Sequence, residues 1–234
     1  MRTLNNSNDW TDIAQEYHDR RQKGNTDLDI SWWRAMPYEM IDKDLSGKKV
    51  LDVGCGTGIT TKILAERGGE CTAFDSSDAM IDIAKEYDTK TNYLKCEEEI
   101  VDTHCLKLFK DEEFDLTTSF LTIPAIKSKL VVKDIFYEIH RSLKKGGSLV
   151  VSSVEAQSPY NFSAEFLDYT IPVYMHGLDF LFNMMSEIGF KLDKFENPIV
   201  LTELSKDDPE GWMGWFDPTP GLAASYYVMR FERL

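Results

Sequence analysis

Short apolar runs alternate with amphipathic stretches along the middle of the chain. Strand-length apolar runs occur at 49–53, 71–74, 92–96, 114–123 and 148–154. Stretches with one apolar face at helical spacing separate them, at 59–66, 79–87 and 130–143. This repeated strand–helix–strand order predicts an α/β fold with a parallel sheet covered by helices on both faces.

Residues at the ends of these stretches support the assignment. Gly68-Gly69 closes the first core helix. Asp78 is predicted to cap the second helix, because its side chain can accept a hydrogen bond from a free N–H of the first turn. Before the sheet, Trp10, Ile13, Ala14 and Tyr17 share one helix face, and Pro37 is predicted to interrupt a second helix over residues 31–44.

Composition limits the possible functions. The 234 residues are 42% hydrophobic, which suits one domain with a buried core. The net charge of −14 argues against a nucleic-acid partner, which needs clustered Lys and Arg. We expect no membrane span, because no run approaches about 20 apolar residues. The first ten residues lack a signal-peptide core, so the cytosol is the expected location. The four cysteines have no metal-ligand spacing, and no metal is expected.

Candidate chemistry begins where the first strand ends, in Gly54-Cys55-Gly56-Thr57-Gly58. Glycines there permit a sharp turn and close approach of a ligand to the backbone, and the following helix start attracts an oxyanion. A dinucleotide-binding loop has the order G-x-G-x-x-G, and Ile59 occupies the place of its last small residue. The pattern therefore favours another ligand, and a purely structural turn is the remaining alternative.

The segment Val50–Gly58 resembles the first motif of class I S-adenosylmethionine-dependent methyltransferases. Asp75 lies 17 residues after Gly58, and Asp75–Ile81 is similar to the second motif of that family. The resemblance implies that Asp75 accepts the ribose hydroxyls and that Met80 packs on the adenine. Phe114–Leu121 resembles the fourth-strand motif.

The resemblance covers roughly residues 45–234 and implies a set of cofactor contacts. Arg34 is implied for the cofactor carboxylate, with packing over Trp32 and Trp33 as the alternative. Glu97 stands one residue from the place of the acid that usually meets the adenine amino group. The implied binding residues are Tyr17, Arg34, Asp52, Gly54, Cys55, Gly56, Thr57, Gly58, Asp75, Ser76, Met80, Cys96, Glu97, Ser119 and Phe120.

The same resemblance implies a Rossmann-like, doubly wound, mostly parallel seven-stranded sheet whose last strand, near Tyr226–Met229, is antiparallel. Residues 1–45 are expected to form a helical lid and residues 46–154 the cofactor-binding core. Residues 155–234 are expected to form cap segments and C-terminal strands. The aromatic-rich parts of these caps are Tyr160–Tyr174 and Trp212–Phe216.

The implied function is transfer of the activated methyl of S-adenosylmethionine to an O, N or C atom of a small molecule, by in-line displacement, leaving S-adenosylhomocysteine. A monomer or homodimer is expected. A protein methyltransferase and a non-catalytic cofactor-binding module are the alternatives. No catalytic base is assigned. The possible bases are His176, Tyr160, Tyr169 and Tyr174, whereas His140 is expected to be a surface residue.

Overall fold

Strands and helices alternate through most of the chain. The computed structural model describes residues 2–3, 10, 12–23, 32–95, 104–156, 162–166, 169–200 and 224–234. The strands are β1 (Arg2–Thr3), β2 (Lys49–Val53), β3 (Glu70–Asp75), β4 (Asn92–Lys95), β5 (Phe114–Phe120), β6 (Leu143–Ala156), β7 (Phe162–Phe166), β8 (Tyr169–Val173), β9 (Phe190–Val200) and β10 (Ala224–Arg233). The helices are α1 (Ala14–Lys23), α2 (Trp32–Glu39), α3 (Ile59–Glu66), α4 (Asp78–Tyr87), α5 (His104–Lys107), α6 (Lys129–Ser142) and α7 (Leu178–Ile188).

Seven of the strands form one mixed sheet in the order β4-β3-β2-β5-β6-β10-β9. Strands β2 to β6 are parallel to one another, and β10 is antiparallel to both β6 and β9. The predicted fold class is therefore confirmed. The chain moves outward from β2 to β4 and then returns to β5, so the strand order reverses between β2 and β5. Ligands of such sheets bind outside the carboxyl ends of the strands at this point.

Apolar side chains cover both faces of the sheet, as a parallel sheet requires. In β2, Val50 faces the layer that contains Met40, after α2, and Leu64 of α3. Leu51 faces the opposite layer, which includes side chains of α6 and α7 such as Phe136. Successive side chains of a strand point to opposite faces of the sheet, so β2 lies between the two cores and contributes to both.

The segments outside the core also have defined positions. Helix α1 packs against α4, and α2 packs against β6 and β10. Strand β1 pairs in parallel with β8, which is antiparallel to β7, in a second sheet of three strands. The sequence pattern did not predict this small sheet, because each of its strands is short and pairs with a distant part of the chain.

Local geometry corrects several predicted boundaries. Ser77, and not Asp78, caps α4: its Oγ accepts the Met80 N–H at 3.4 Å, while Asp78 is the first helical residue. The strand expected over 114–123 ends at Phe120, because Leu121 turns the backbone with a φ of +57°. A short 3-10 turn, Ile123–Ala125, follows. Pro37 lies inside α2, two residues before its end, and does not divide it.

Candidate functional site

A cleft opens at the carboxyl ends of β2 and β5, where the strand order reverses. It spans about 350 Å³ including the space open to solvent at its mouth. Its lining comes from α1, β2, the glycine loop, the start of α3 and the end of β5. The lining residues are Tyr17, Arg21, Asp52, Gly54, Cys55, Gly56, Thr57, Ile59, Thr60 and Phe120.

The glycine loop is held in a fixed turn beside this cleft. The N–H groups of Gly54 and Cys55 both donate to the carbonyl of Phe74, at 3.0 and 3.1 Å. Gly54, Gly56 and Gly58 all have positive φ angles, between +54° and +78°. The loop therefore bends back over the end of β3 and leads directly into α3.

Helix α3 begins at the cleft without a side-chain cap. Gly58 occupies the cap position and has no side chain that could accept a hydrogen bond from the first turn. Thr57, Ile59 and Thr60 around this helix start line the cleft. Free backbone donors together with the positive end of the helix dipole make this position suitable for an anion.

Asp52 lies at the base of the cleft and is 2% exposed. Its two carboxylate oxygens accept hydrogen bonds from the hydroxyls of Thr61, at 2.6 Å, and Thr118, at 2.8 Å. Burial raises the pKa of Asp52 to about 6, although both hydroxyls and Arg21 favour the charged form. The threonines, rather than the loop backbone, therefore hold this carboxylate in place.

Asp75 ends β3 on the other side of the glycine loop. Its carboxylate accepts the Gly56 N–H at 2.9 Å and the Ser77 N–H at 3.0 Å. Burial raises its pKa, and these backbone hydrogen bonds oppose the shift. Asp75 thus ties the loop to the start of α4. Met80 is 3% exposed in the first turn of α4.

Three lining residues are absent from the predicted set, namely Ile59, Thr60 and the charged residue Arg21. The Nη1 of Arg21 donates to the Tyr17 hydroxyl at 3.1 Å, one helical turn away. Burial opposes the charge on Arg21, yet the neighbouring phenols of Tyr17, Tyr38 and Tyr226 raise its pKa. The i, i+4 spacing from Tyr17 was a signal that could have found it, because such residues share a helix face.

The other predicted binding residues have varied positions. Tyr17 and Phe120 line the cleft together with the loop residues 54–57. Gly58 caps α3 beside them, and Ser119 is 2% exposed within β5. Ser76 follows Asp75 between β3 and α4 and is partly buried. Cys96 and Glu97 lie outside the described residues, as does the side chain of Arg34.

The possible bases do not line the cleft within the described residues. His176 is buried, and its Nε2 lies 2.6 Å from the carbonyl oxygen of Ile126. His140, expected on the surface, is partly buried instead, because α6 places its ring edge-on against Phe190 at 5.0 Å between centroids. Tyr160 and the side chain of Tyr169 lie outside the described residues, and Tyr174 donates its N–H to Pro124.

The described residues contain no cluster of metal ligands and no helix of membrane-spanning length. Within these ranges, no three His, Cys, Asp or Glu side chains are grouped closely enough to hold a metal ion. In the same part of the chain, no helix has the length and apolar character needed to cross a membrane.

The sequence of the chain is similar to those of known methyltransferases. Residues 51–151 match the family model described as a methyltransferase domain. The chain is 28% identical over 193 residues to a ubiquinone biosynthesis O-methyltransferase of Coxiella burnetii, a match that covers 76% of each chain. It is 49% identical over 53 residues to a magnesium-protoporphyrin O-methyltransferase of Rhodobacter capsulatus, covering 23% of this chain and 24% of that protein.

A solved structure shows the same fold. An S-adenosylmethionine-dependent methyltransferase from Mesorhizobium loti superimposes with a TM-score of 0.64 at 17% identity, over 88% of this chain and 100% of the other. The matched segment 51–151 contains Asp52, the glycine loop and Phe120, which line the cleft, and also Asp75. Motif, sheet order and family match together identify residues 51–151 as a methyltransferase domain, in a chain that resembles the class I S-adenosylmethionine-dependent methyltransferases.

Proposed function

We propose that this methyltransferase acts on a hydroxyl group of a small aromatic molecule. The observation that carries the proposal is the match, over three quarters of the chain, to a relative named as an O-methyltransferase. The aromatic side chains of Tyr17 and Phe120 in the cleft support it, because flat aromatic rings favour apolar, ring-shaped ligands.

The residues around the cleft fit the cofactor. The uncapped start of α3 offers backbone donors for a carboxylate, and Asp52 places a negative charge near it for an ammonium group. Asp75 is proposed to accept ribose hydroxyls, with Ser76 and Met80 beside it. When bound, S-adenosylmethionine supplies a methyl group that is already activated on a sulfonium, so the main task of the chain is to position the acceptor.

The division of the chain into parts belongs to this proposal. We assign residues 1–45 to a lid, 46–154 to the cofactor-binding core and 155–234 to caps and final strands. The contact of α1 with α4 and the pairing of β1 with β8 support a lid, because α4 begins just after the carboxyl end of β3 and β8 contacts the Ile123–Ala125 turn that follows β5. A cytosolic monomer or homodimer completes the proposal.

A product assay tests the acceptor class. The chain is incubated with S-adenosylmethionine labelled on its methyl group and with matched pools of phenols, aliphatic alcohols, amines, and Lys- and Arg-containing peptides. Label on a phenol, with an equal amount of S-adenosylhomocysteine formed, is the expected result. Label on peptides alone would establish the protein methyltransferase instead. Tight cofactor binding with no labelled product in any pool would favour a non-catalytic module.

A further inference from the structure

Strand β9 forms an outer edge of the seven-stranded sheet. It pairs with β10 on one side, and no strand among the described residues pairs with its other side. Residues 191–196 of β9 are all exposed, and they include the apolar side chains Leu192 and Phe195, at 41% and 37% exposure. Because an edge strand presents unpaired N–H and C=O groups, it can pair with a strand of another chain. Within the described part of the chain, the outer edge of β9 therefore has room for one more strand.

A β-bulge at Asp193 determines which side chains of β9 share a face. Lys194 lies opposite Arg230 and Leu192 lies opposite Phe231, so Asp193 is an extra residue between these two pairs. Asp193 forms an ion pair with Arg230 at 3.3 Å, which places its side chain on the Arg230 side of the sheet. The two neighbours Asp193 and Lys194 therefore lie on one face, and Leu192 lies on the other.

The residues on either side of the bulge complete a symmetrical pattern. Phe195 lies opposite Met229, whose side chain belongs to the core layer that contains α6 and α7, so it shares a face with Leu192. Lys191 and Glu196 lie on the face of the charged pair, because successive residues of a strand alternate between faces. The order of faces along 191–196 is thus the same when it is followed in either direction.

A two-fold axis between Asp193 and Lys194 pairs this segment with a second copy of itself. Every residue then lies opposite a residue on the same face and of complementary character. These pairs join Lys191 to Glu196, Leu192 to Phe195 and Asp193 to Lys194 of the second copy. In a regular strand the two members of each pair would lie on opposite faces, and the bulge brings them to the same face.

We propose that two copies of this chain associate through antiparallel pairing of β9 with β9 about this axis. Opposite charges and apolar side chains that lie directly across two strands stabilise their pairing. Lysines on an edge strand usually prevent association with other chains. Here each lysine lies opposite a carboxylate of the second copy, so the charges favour self-association over other partners. A two-fold interface uses the same surface on both chains, so assembly stops at the dimer.

This inference selects the homodimer from the two oligomeric states in the proposed function. It does not depend on the cofactor or the acceptor, because β6 and β10 separate β9 from the strand β5 that lines the cleft. A short pair of strands buries a small area, so we expect a weak, concentration-dependent association.

Sedimentation of the unaltered chain over a range of concentrations should show an equilibrium between monomer and dimer. Lys191→Glu places a negative charge opposite Glu196 of the second copy, and Glu196→Lys places a positive charge opposite Lys191. Each dimer contains two such pairs, so either variant alone should dissociate about 10-fold more readily.

Mixing the two variants is the decisive experiment. In a mixed dimer, the substituted position 191 of one chain lies opposite the substituted position 196 of the other, and the second pair keeps its original residues. Both pairs then have opposite charges again, so an equimolar mixture should associate about as tightly as the unaltered chain. Added salt should weaken this association, because the charges are exposed.

The same charge changes elsewhere on the surface serve as controls. Lys85→Glu and Glu86→Lys, at exposed positions of α4, should associate as the unaltered chain does. Lys191 also lies opposite Glu232 within its own chain, so urea unfolding is used to compare the stability of all variants. A monomeric unaltered chain, equal association of the unaltered chain and the β9 variants, or a mixture that stays dissociated would each overturn the proposal.

Discussion

Asp52 is deeply buried and accepts hydrogen bonds from two hydroxyl groups, and these two features shift its pKa in opposite directions. Burial in low dielectric favours the neutral acid, and the hydroxyls of Thr61 and Thr118 favour the anion. The resulting pKa of about 6 lies close to neutral pH. Protonation of Asp52 near pH 6 therefore removes a negative charge from the base of the cleft.

This balance predicts a pH-dependent affinity for S-adenosylmethionine. Above pH 6 Asp52 is ionised and attracts the cationic ligand. As the pH falls through about 6 it becomes neutral, so the dissociation constant should rise. Asp52→Asn should bind more weakly at pH 8 and lack this step. Thr118→Val should move the step to higher pH, because it removes a donor to the anion. Titration calorimetry between pH 5 and 8 measures the dissociation constant for the unaltered chain and for both variants. An identical step in Asp52→Asn would contradict the assignment of the step to Asp52.

Asp75 has both a structural contact and a proposed ligand contact. Asp75→Asn should weaken S-adenosylhomocysteine by about 1.5–3 kcal/mol, the range for a hydrogen bond to a charged group. It should also lower the free energy of unfolding by about 1–3 kcal/mol, because an amide cannot accept both the Gly56 and Ser77 N–H groups as the carboxylate does. This loss of stability is expected from the structure alone, because the sequence does not reveal the hydrogen bond between Asp75 and Gly56.

Calorimetry and urea unfolding measure these two quantities separately. Glu70→Gln, at the exposed start of the same strand, is the control and should change neither. A dissociation constant for Asp75→Asn equal to that of the unaltered chain would exclude Asp75 from the ribose site.

At the scale of the element, two glycines of one loop have different tasks. Both Gly56 and Gly58 have positive φ angles, +54° and +78°. A Cβ at Gly58 would lie 2.6 Å from Tyr93 Oη and 3.0 Å from Ala84 Cβ. A Cβ at Gly56, a lining residue of the cleft, would meet nothing within 4 Å. Gly58 therefore permits the loop to pack on α4 and β4, and Gly56 leaves space at the ligand side.

Alanine substitutions at the two positions should separate stability from binding. Gly56→Ala should cost about 1–2 kcal/mol of unfolding free energy from its left-handed backbone, and the added methyl should weaken S-adenosylhomocysteine. Gly58→Ala should cost more, about 2–4 kcal/mol, because contact with Tyr93 adds to the same backbone cost. Urea unfolding and calorimetry compare the pair, and equal loss of stability in both variants would refute this division of roles.

At the scale of the whole molecule, Arg230 joins parts of the chain that are far apart in sequence. From β10 its guanidinium donates to the carbonyl of Met40, at 2.8 Å, and to Ser148 Oγ of β6, at 3.1 Å. It also forms an ion pair with Asp193 of β9 at 3.3 Å. One side chain thus connects the end of the proposed lid segment to two strands of the sheet.

These links predict that the chain unfolds as one unit. Fluorescence of the tryptophans and far-ultraviolet circular dichroism should give the same urea midpoint. Arg230→Met should lower the free energy of unfolding by about 1.5–3 kcal/mol, because it removes hydrogen bonds made by a charged group. Lys194→Met, opposite it in β9 and exposed, is the control with little expected effect. Two separate midpoints would show that the lid segment and the core are independent domains.

The sequence by itself determined the order of elements and the site of the loop. Hydrophobic periodicity is a local property, so it placed α3 at residues 59–66 and α4 and α6 within one residue of their observed starts and ends. The loop from Gly54 to Gly58 follows directly from β2, and its glycines appear in the sequence itself. Asp75 was found for the same reason, because it ends the next strand.

Only the tertiary structure decided which side chains meet across the cleft. Helical spacing places Arg21 on the same face of α1 as Tyr17, but the packing of α1 against α4 decides that this face lines the cleft. The bond from Thr118 to Asp52 depends on the parallel register between β2 and β5, which pairs the two residues across 66 positions of sequence. Such long-range contacts arise from burial and strand pairing summed over the whole chain, so no local pattern encodes them.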